Sequence, residues 1–512
     1  MNNVVRQQLC EIVRRHGRAI IDEPRRLEGL LRDYCAGQRR EIAVLVNAVE
    51  ERVAADLLQS NVGTPRAVLF ARLAGRLHDS LAMSEDAARW AVASWALALK
   101  VITDEQLQEW EEKTKPAEQT QANFTPVATT ATTVQTKVTK QPATSVVAHA
   151  VVVVSRAGDG DYTSISEAIR NAVSGTRILV KPGLYEESVV VDKFVEIGGD
   201  GLREEIVVTS NRDSCVRMQA AQAVVRGLTL RAQAGAAGKK FFAVDIPQGK
   251  LILEDCDIVS DSLSCVGILN ATADPLIRRC AIHDSSDSGI YIFEGAAGKI
   301  EDCDIYGNAN VGVAISGGAR PLIKGCKIHD GRDAGIVVWD GGAGLIEDCD
   351  IYDNRSAGIG ISEGGEPTVR RCQIYRGGNT GVFVHRNGRA LLEDCNIFGN
   401  AEANVAVTLG GNLVARECRI HNGEDAGVLL SDDGRAKLID CEINGNSDAG
   451  VSVYAGGIAI MQNCNIKRNG KVGVRVKENG AANVENCDIT ENRIATWETE
   501  YGALVESRGN RQ

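Results

Sequence analysis

Six residues in the middle of this 512-residue chain, Asp330, Asp333, Asp340, Arg376, His385 and Arg386, are of the types that carry acid and base chemistry. Carboxylates can give or take a proton, a histidine can do either near neutral pH, and an arginine can steady a developing negative charge. Such a set could serve acid/base catalysis if the carboxylates stand at mechanistically useful separations. Interleaved with them stand large side chains at regular intervals: Tyr291, Phe293, Val337, Trp339, Phe383, His385 and Leu429. Evenly spaced rings rimmed by charge form a surface that an extended ligand or a protein partner could read. The competing reading is that bulky and small residues simply interlock on a surface strand.

Both sets owe their spacing to a repeat. Cysteines fall at 280, 303, 326, 349, 372, 395, 418, 441, 464 and 487, each 23 residues after the last, with Cys256 preceding them by 24. A period in the twenties is the signature of a solenoid in which each unit makes one turn and stacks on the next. In the unit Cys303–Gly325 the residues Cys303 and Ile305 alternate with polar Asp304, so a first short strand buries Cys and Ile. Gly312 begins a turn column shared by Gly289, Gly335, Gly358, Gly381, Gly427, Gly450 and Gly473, with Asn404 in the remaining unit. Glycine and asparagine suggest a left-handed backbone there. Val313 and Ile315 form a second buried pair and Leu322 with Ile323 a third. Three short strands per unit and no helix describe a mainly β fold, a parallel β-helix of single strands with about 23 residues per coil.

The large outward residues follow from this pattern, since positions 11 and 13 after each Cys alternate with the buried pair. They are bulky in the units starting at 280, 326, 372 and 418, and small in those between, as in Ala314 with Ser316 and Gly360 with Ser362. The true period is therefore two units. Acidic residues flank the bulky positions: Asp284, Asp287 and Glu294, then Asp330, Asp333 and Asp340. The column five after Cys, with Asn308, Asn354, Asn400, Asn446, Asn469 and Asn492, reads as a turn ladder whose amides satisfy backbone groups. The cysteines read as small buried filler with free thiols, because neither CxxC pairs nor mixed Cys/His ligand spacings occur. No cofactor or metal is expected.

The remainder of the chain divides by composition. Residues 1–112 carry amphipathic runs such as 40–58 and 84–101 and are expected to form a small all-α bundle of five or six helices, with Trp90 and Trp95 in its core. Residues 113–148 are rich in Thr, Ala, Gln and Pro and read as a flexible linker. The β-helix is expected over 149–495, opened by a capping helix at 163–173 with a Ser164/Glu167 capping box. The segment 496–512 is expected to cap the last coil with Trp497 and Tyr501. A net charge of −11 with no basic run argues against nucleic acid, and no apolar run is long enough to span a bilayer. No export signal is evident, so a cytoplasmic location is expected.

Residues 151–495 resemble the right-handed parallel β-helix of the pectin-lyase-like superfamily, in particular its NosD-like and F-box-associated repeats. The motifs that carry the likeness are "DCDIYGNANVGVAI" and "DCDIYDNRSAGIGI", with the opening stretch "GDGDYTSISEAIRNAVSGTRILVKPGLYEESVVV" resembling the entrance cap of that superfamily. The helical N-terminus resembles a module of multidomain bacterial proteins and implies an interaction or oligomerisation role. Within the superfamily the resemblance implies lyases, hydrolases, esterases, epimerases or non-catalytic binders. The chain lacks the Asn-Thr-Asp and Arg-Ile-Lys motifs of polygalacturonases, the Gly-Arg-Pro-Trp stretch of pectin esterases, the vWiDH stretch of pectate lyases and the Asp-Pro-His-Asp motif of alginate epimerases. Asn379-Thr380-Gly381 matches the first only superficially. These departures, and nine units without a loop insertion, lead to the expectation of a non-catalytic binding or scaffolding solenoid that presents its face to a protein or glycan. A carbohydrate-active enzyme built around residues 330–386 is the alternative, and a self-assembling structural protein a further one.

Overall fold

A computed structural model describes residues 3–50 with breaks at 18–19, 22–23 and 36–37, scattered positions between 53 and 77, residues 85–99 and 101–102, and residues 150–512 except 236–237. The chain forms two compact units, Met1–Lys140 and Gln141–Gln512. The linker expected at 113–148 lies outside the described residues.

In the first unit the described helices run over Asn3–His16, Pro24–Tyr34, Arg39–Glu50 and Glu85–Ala98. Their apolar faces meet in one core, where Trp95 is fully buried and donates its indole N–H to the Leu45 carbonyl at 3.0 Å. Trp90 lies in the same core. No described helix is long and apolar enough to cross a membrane.

The second unit is a stack of coils with three parallel sheets. Sheet I has 16 strands, from Val151–Val154 to Leu504–Arg508; sheet II has 13, from Gly183–Glu186 to Asn465–Lys467; sheet III has 14, from Val189–Val191 to Ala495–Thr499. One coil runs Lys299–Glu301 in sheet I, Asp304–Tyr306 in sheet II and Val313–Ile315 in sheet III. Pairing holds register without a slip, so Ile305 sits on Ile282 and under Ile328, and Ile351 follows. Because side chains alternate in and out along each strand, this register turns every buried residue type into a column. The cysteine column faces inward, with Cys256 to Cys487 all at most 2% exposed and all free. Each thiol meets backbone carbonyls, as Cys326 Sγ does with Lys324 O at 3.4 Å and Ile300 O at 3.5 Å.

Three corners per coil are turned by left-handed residues: Asp302, Asp348 and Arg371 before the cysteine, Asp284, Asp330 and Arg376 four after it, and Glu294, Asp340 and Arg386 at the end of sheet III. The glycine column at Gly312, Gly335 and Gly358 has no left-handed backbone, which corrects the expected reason for it. A Cβ on Gly335 would stand 2.7 Å from both the Gly358 carbonyl oxygen and Ile351 Cγ2, so close approach of the next coil demands glycine there.

The asparagine ladder accounts for much of the two-coil period. Asn354 accepts the N–H of Gly331 at 3.1 Å and donates to Ile328 O at 2.9 Å, and Asn308, Asn400 and Asn446 act alike on Ser285, Gly377 and Gly423. Each amide serves two backbone groups of the coil before it. The intervening coil therefore carries a small residue in that column, and a Cβ on Gly331 would come within 2.9 Å of Asn354 Oδ1.

The entrance is closed by the helix Ile165–Asn171, whose Ile165, Ala168 and Ile169 plug the first coil. Ser164 Oγ accepts from Glu167 N, but the acidic partner at the helix start is Glu187, not the Glu167 side chain. Glu187 accepts the N–H groups of Ile165 and Ser166, each at 2.9 Å, and the Ser164 hydroxyl at 2.9 Å. At the other end, Ala495–Thr499 and Leu504–Arg508 pair in parallel as a further rung. Trp497 packs partly against the core while Tyr501 is wholly exposed, so 496–512 extends the stack and does not fold over it as a cap.

Candidate functional site

The outer face of sheet III carries one unbroken column, Tyr291, Ala314, Val337, Gly360, Phe383, Ala406 and Leu429, with each residue registered on the next. Large members reach across the small member between them. Tyr291 and Trp339 approach to 6.1 Å between ring centroids, and Tyr291 and Phe293 to 4.8 Å. Tyr291, Val337, Trp339 and Phe383 pack on a satellite core of Val311, Ala314, Ala334 and Ala357. His385 stacks on Phe383 at 4.4 Å, and burial, with Arg386 adding to it, holds its imidazole below the usual histidine value. The interlocking is real and leaves a trough. Beside these packed rings lies an open cavity of about 520 Å³, lined by Asp287, Asn310, Ala314, Asp333, Tyr291 and Trp339.

One wall of the trough is polar because the turn column seven after each cysteine points there: Asp287, Asn310 and Asp333. Ser264 Oγ donates to Asp287 Oδ2 at 2.9 Å and Asn310 Nδ2 to Oδ1 at 3.1 Å, so that carboxylate is fixed. Among the described residues no side chain bonds the Asp333 carboxylate. Two coil rises put the two backbones roughly 9.6 Å apart. Ser288, Tyr291, Val311, Ala314, Val337 and Trp339 make up the rest of the lining, which holds no Lys or Arg.

Of the six residues with chemical potential in the sequence, the fold brings only Asp333 to this trough. Asp340 and Arg386 turn the corner at the far end of sheet III, Asp340 about 23 Å from Asp333 along the chain at strand rise. Asp330 and Arg376 turn the corner at its start. Asp330 receives His329 Nδ1 at 2.7 Å; Arg376 is paired with Asp353 at 2.5 Å and lies over the Tyr352 and Tyr375 rings. Arg386 stands 3.8 Å from Glu363. The period displayed these residues together but could not tell a corner from a strand. Asn310 was missed because only the column, not its own unit, marks it.

Outside this face, sheet II carries a second continuous stack, His283, Tyr306, His329, Tyr352, Tyr375, Phe398 and His421, with centroids 4.6–5.4 Å apart and ring planes within 12° of parallel. Its rings cover one another's faces, which suits it to holding coils together.

A family model described as the right-handed beta helix region matches residues 264–415 and 368–511, and the pectinesterase model matches 151–331. This chain belongs to the right-handed β-helix proteins of the pectin-lyase-like superfamily. Among curated proteins, the β-helix is 30% identical over 173 residues to a pectinesterase of Daucus carota, covering 30% of this chain and 52% of the relative. It is 26% identical over 172 residues to pectinesterase/pectinesterase inhibitor U1 of Solanum lycopersicum, covering 30% and 28%. The chain thus spans about half, or less, of the length of the curated relatives it matches. Among solved structures, the A-module of the Azotobacter vinelandii mannuronan C-5 epimerase AlgE4 aligns over 67% of this chain and 94% of its own, at 14% identity and a TM-score of 0.35.

Pectinesterases are enzymes by name, and their match overturns the expectation of a non-catalytic binding or scaffolding solenoid in favour of the carbohydrate-active alternative. Part of the matched segment of this β-helix serves the fold: in "GLYEE" the Tyr185 hydroxyl donates to Lys181 O at 2.8 Å, and Glu187 holds the capping helix. The same segment also includes Asp287, Tyr291 and Asn310, one end of the trough.

Proposed function

We propose that this β-helix is a carbohydrate-active enzyme that hydrolyses ester groups on an acidic polysaccharide, with an esterified stretch lying in the trough on sheet III. The observation that carries the reading is the overlap of the pectinesterase-matched segment with a cavity that combines rings and carboxylates. Sugar rings present apolar faces that lie against Tyr291 and Trp339. Asp287 and Asp333 line the trough, and Asp284, Asp330 and Asp340 at the corners beyond it add to the negative charge of this face. That charge repels a polyanion and favours a chain whose carboxyl groups are capped as neutral esters.

In this reading Asp333, the carboxylate without a side-chain partner, takes a proton from water. The water oxygen bonds to the ester carbonyl carbon, and the C–O bond to the methoxy group then breaks, the leaving oxygen recovering the proton as methanol. Asp287 stays fixed by Ser264 and Asn310. The Asn310 amide and the Trp339 indole N–H are the donors at hand for the carbonyl oxygen.

Methanol release from methyl-esterified pectin measures this directly, with loss of about 10²-fold or more in Asp333→Asn and a raised KM in Trp339→Ala. Unsaturated or new reducing ends without methanol would show a lyase or glycosidase instead. No product from pectin, alginate or glucan would refute the reading.

A further inference from the structure

The column that forms the trough begins four coils before Tyr291. In order along sheet III its outward members are Val190, Arg217, Asp245, Gly267 and Tyr291, all in register. Asp245 is 7% exposed, an unusual place for a carboxyl group on an outer face. Its Oδ1 has no hydrogen-bond partner among the described residues, and the same is true of Arg217 Nε. The two side chains stand 3.5 Å apart, Arg217 Nε to Asp245 Oδ2, an ion pair too long for a good hydrogen bond. A buried polar group is ordinarily satisfied, and a pair with one open valence on each member is an exception that calls for a ligand.

The covering of this pair is also particular to it. The link from sheet II to sheet III spans 233–243 between Ala232 and Val244, whereas the next coils use 261–265 and 284–289. From the end of this longer link Phe242 lies on Gly267: a Cβ there would fall 2.6 Å from its ring carbons. The Phe242 ring therefore fills the step between Asp245 and Tyr291. Arg217 remains open from the other side, with 43% of its side chain exposed.

We propose that Arg217 and Asp245 form a carboxylate-binding subsite that takes a free uronate unit of the same polysaccharide; this rests on the ester-hydrolase reading for the identity of the glycan. The guanidinium meets one carboxylate oxygen of the uronate. The other oxygen accepts the proton that Asp245 carries on its accessible edge, where 10% of the side chain is exposed. Burial raises the Asp245 carboxyl above the usual aspartate range, with Asp213 in the preceding turn adding to it and Arg217 opposing. Lys239, 3.7 Å from Asp213, moderates that negative charge, and Gly267 and Phe242 contribute no charge. The bound state thus holds one proton between two carboxylates, and binding tightens as pH falls through the range where Asp245 gains its proton. A neutral sugar or a methyl ester offers no anion to Arg217 and is refused.

Titration of the full chain with trigalacturonate, its methyl ester and galactotriose, followed by calorimetry or ring-proton shifts of Phe242, tests this. Trigalacturonate is expected to bind, with affinity falling up to about tenfold per pH unit above the Asp245 midpoint, and the other two probes are expected not to. Arg217→Met should abolish binding. Asp245→Asn should keep binding and lose its pH dependence, because an amide donates without needing a proton. Circular dichroism on both variants separates misfolding from loss of the site. Binding that is independent of pH in the native chain, survives Arg217→Met, or keeps its pH dependence in Asp245→Asn overturns the subsite. Methanol release is a separate readout: its absence with uronate binding intact removes the esterase reading and leaves the subsite standing.

Discussion

At the scale of single residues, the chain repeats a few contacts many times, and each can be broken one at a time. Asn354 is 1% exposed and satisfies two backbone groups in the preceding coil, Gly331 N–H and Ile328 O. Asn354→Ala leaves both buried without partners, and a cost of roughly 2–4 kcal/mol follows. Urea unfolding of the β-helix unit should show it as a lower midpoint with an unchanged slope. Asn404 shows how the rule bends. It stands where eight other units have glycine, and its amide donates to His421 O at 3.0 Å and Asn446 Oδ1 at 2.9 Å, joining the ladder from the side. The sequence suggested a left-handed backbone for that column; a contact with the neighbouring coil explains it better, and such a contact is invisible until coils are stacked.

At the scale of elements, the ring stack on sheet II has chemically different ends. His283 lies between Asp257 at 3.3 Å and Asp284 at 2.9 Å, which raise its pKa above 6.5, the hydrogen bond it donates to Asp257 contributing most. His421 bonds Asn396 at 2.9 Å and is lowered by burial. A raised histidine contributes stability that is complete below its unfolded value and is lost as pH rises through its folded value. A lowered one contributes stability present above the unfolded value and lost as pH falls through the folded one. Histidine ring-proton titrations should therefore find the His283 midpoint above 6.5 and the His421 midpoint below it, and Asp257→Asn should bring His283 down. Equal midpoints would show that the carboxylates do not act on the stack. The alternation of histidine with tyrosine was plain in the sequence, but periodicity gives no ring orientation, so the stack itself was not legible.

At the scale of the whole molecule, the two units have separate cores, one built on Trp95, Leu45 and Leu9 and the other on the cysteine and isoleucine columns. Calorimetry should resolve two transitions, with Asn354→Ala moving only the one that belongs to the β-helix. A single transition shifted as a whole would show the cores to be coupled. The solenoid also decides which residues can cooperate. Neighbours in function lie one or two coils apart, at 23 or 46 positions in the chain, and only if they share a column. Asp287, Asn310 and Asp333 meet this condition; Asp333 and Asp340, seven residues apart, do not.

The sequence by itself determined the coil, its period, the inward thiols and the outward column on sheet III, because a strict repeat with two-residue alternation leaves one way to bury its apolar residues. Only the tertiary structure decided which polar residues face the trough and which merely turn corners, since corner and strand positions look alike in a repeat. It also brought out Arg217 and Asp245. They lie 28 positions apart, outside the 23-residue series, and the longer link at 233–243 hides their kinship until the strands are paired.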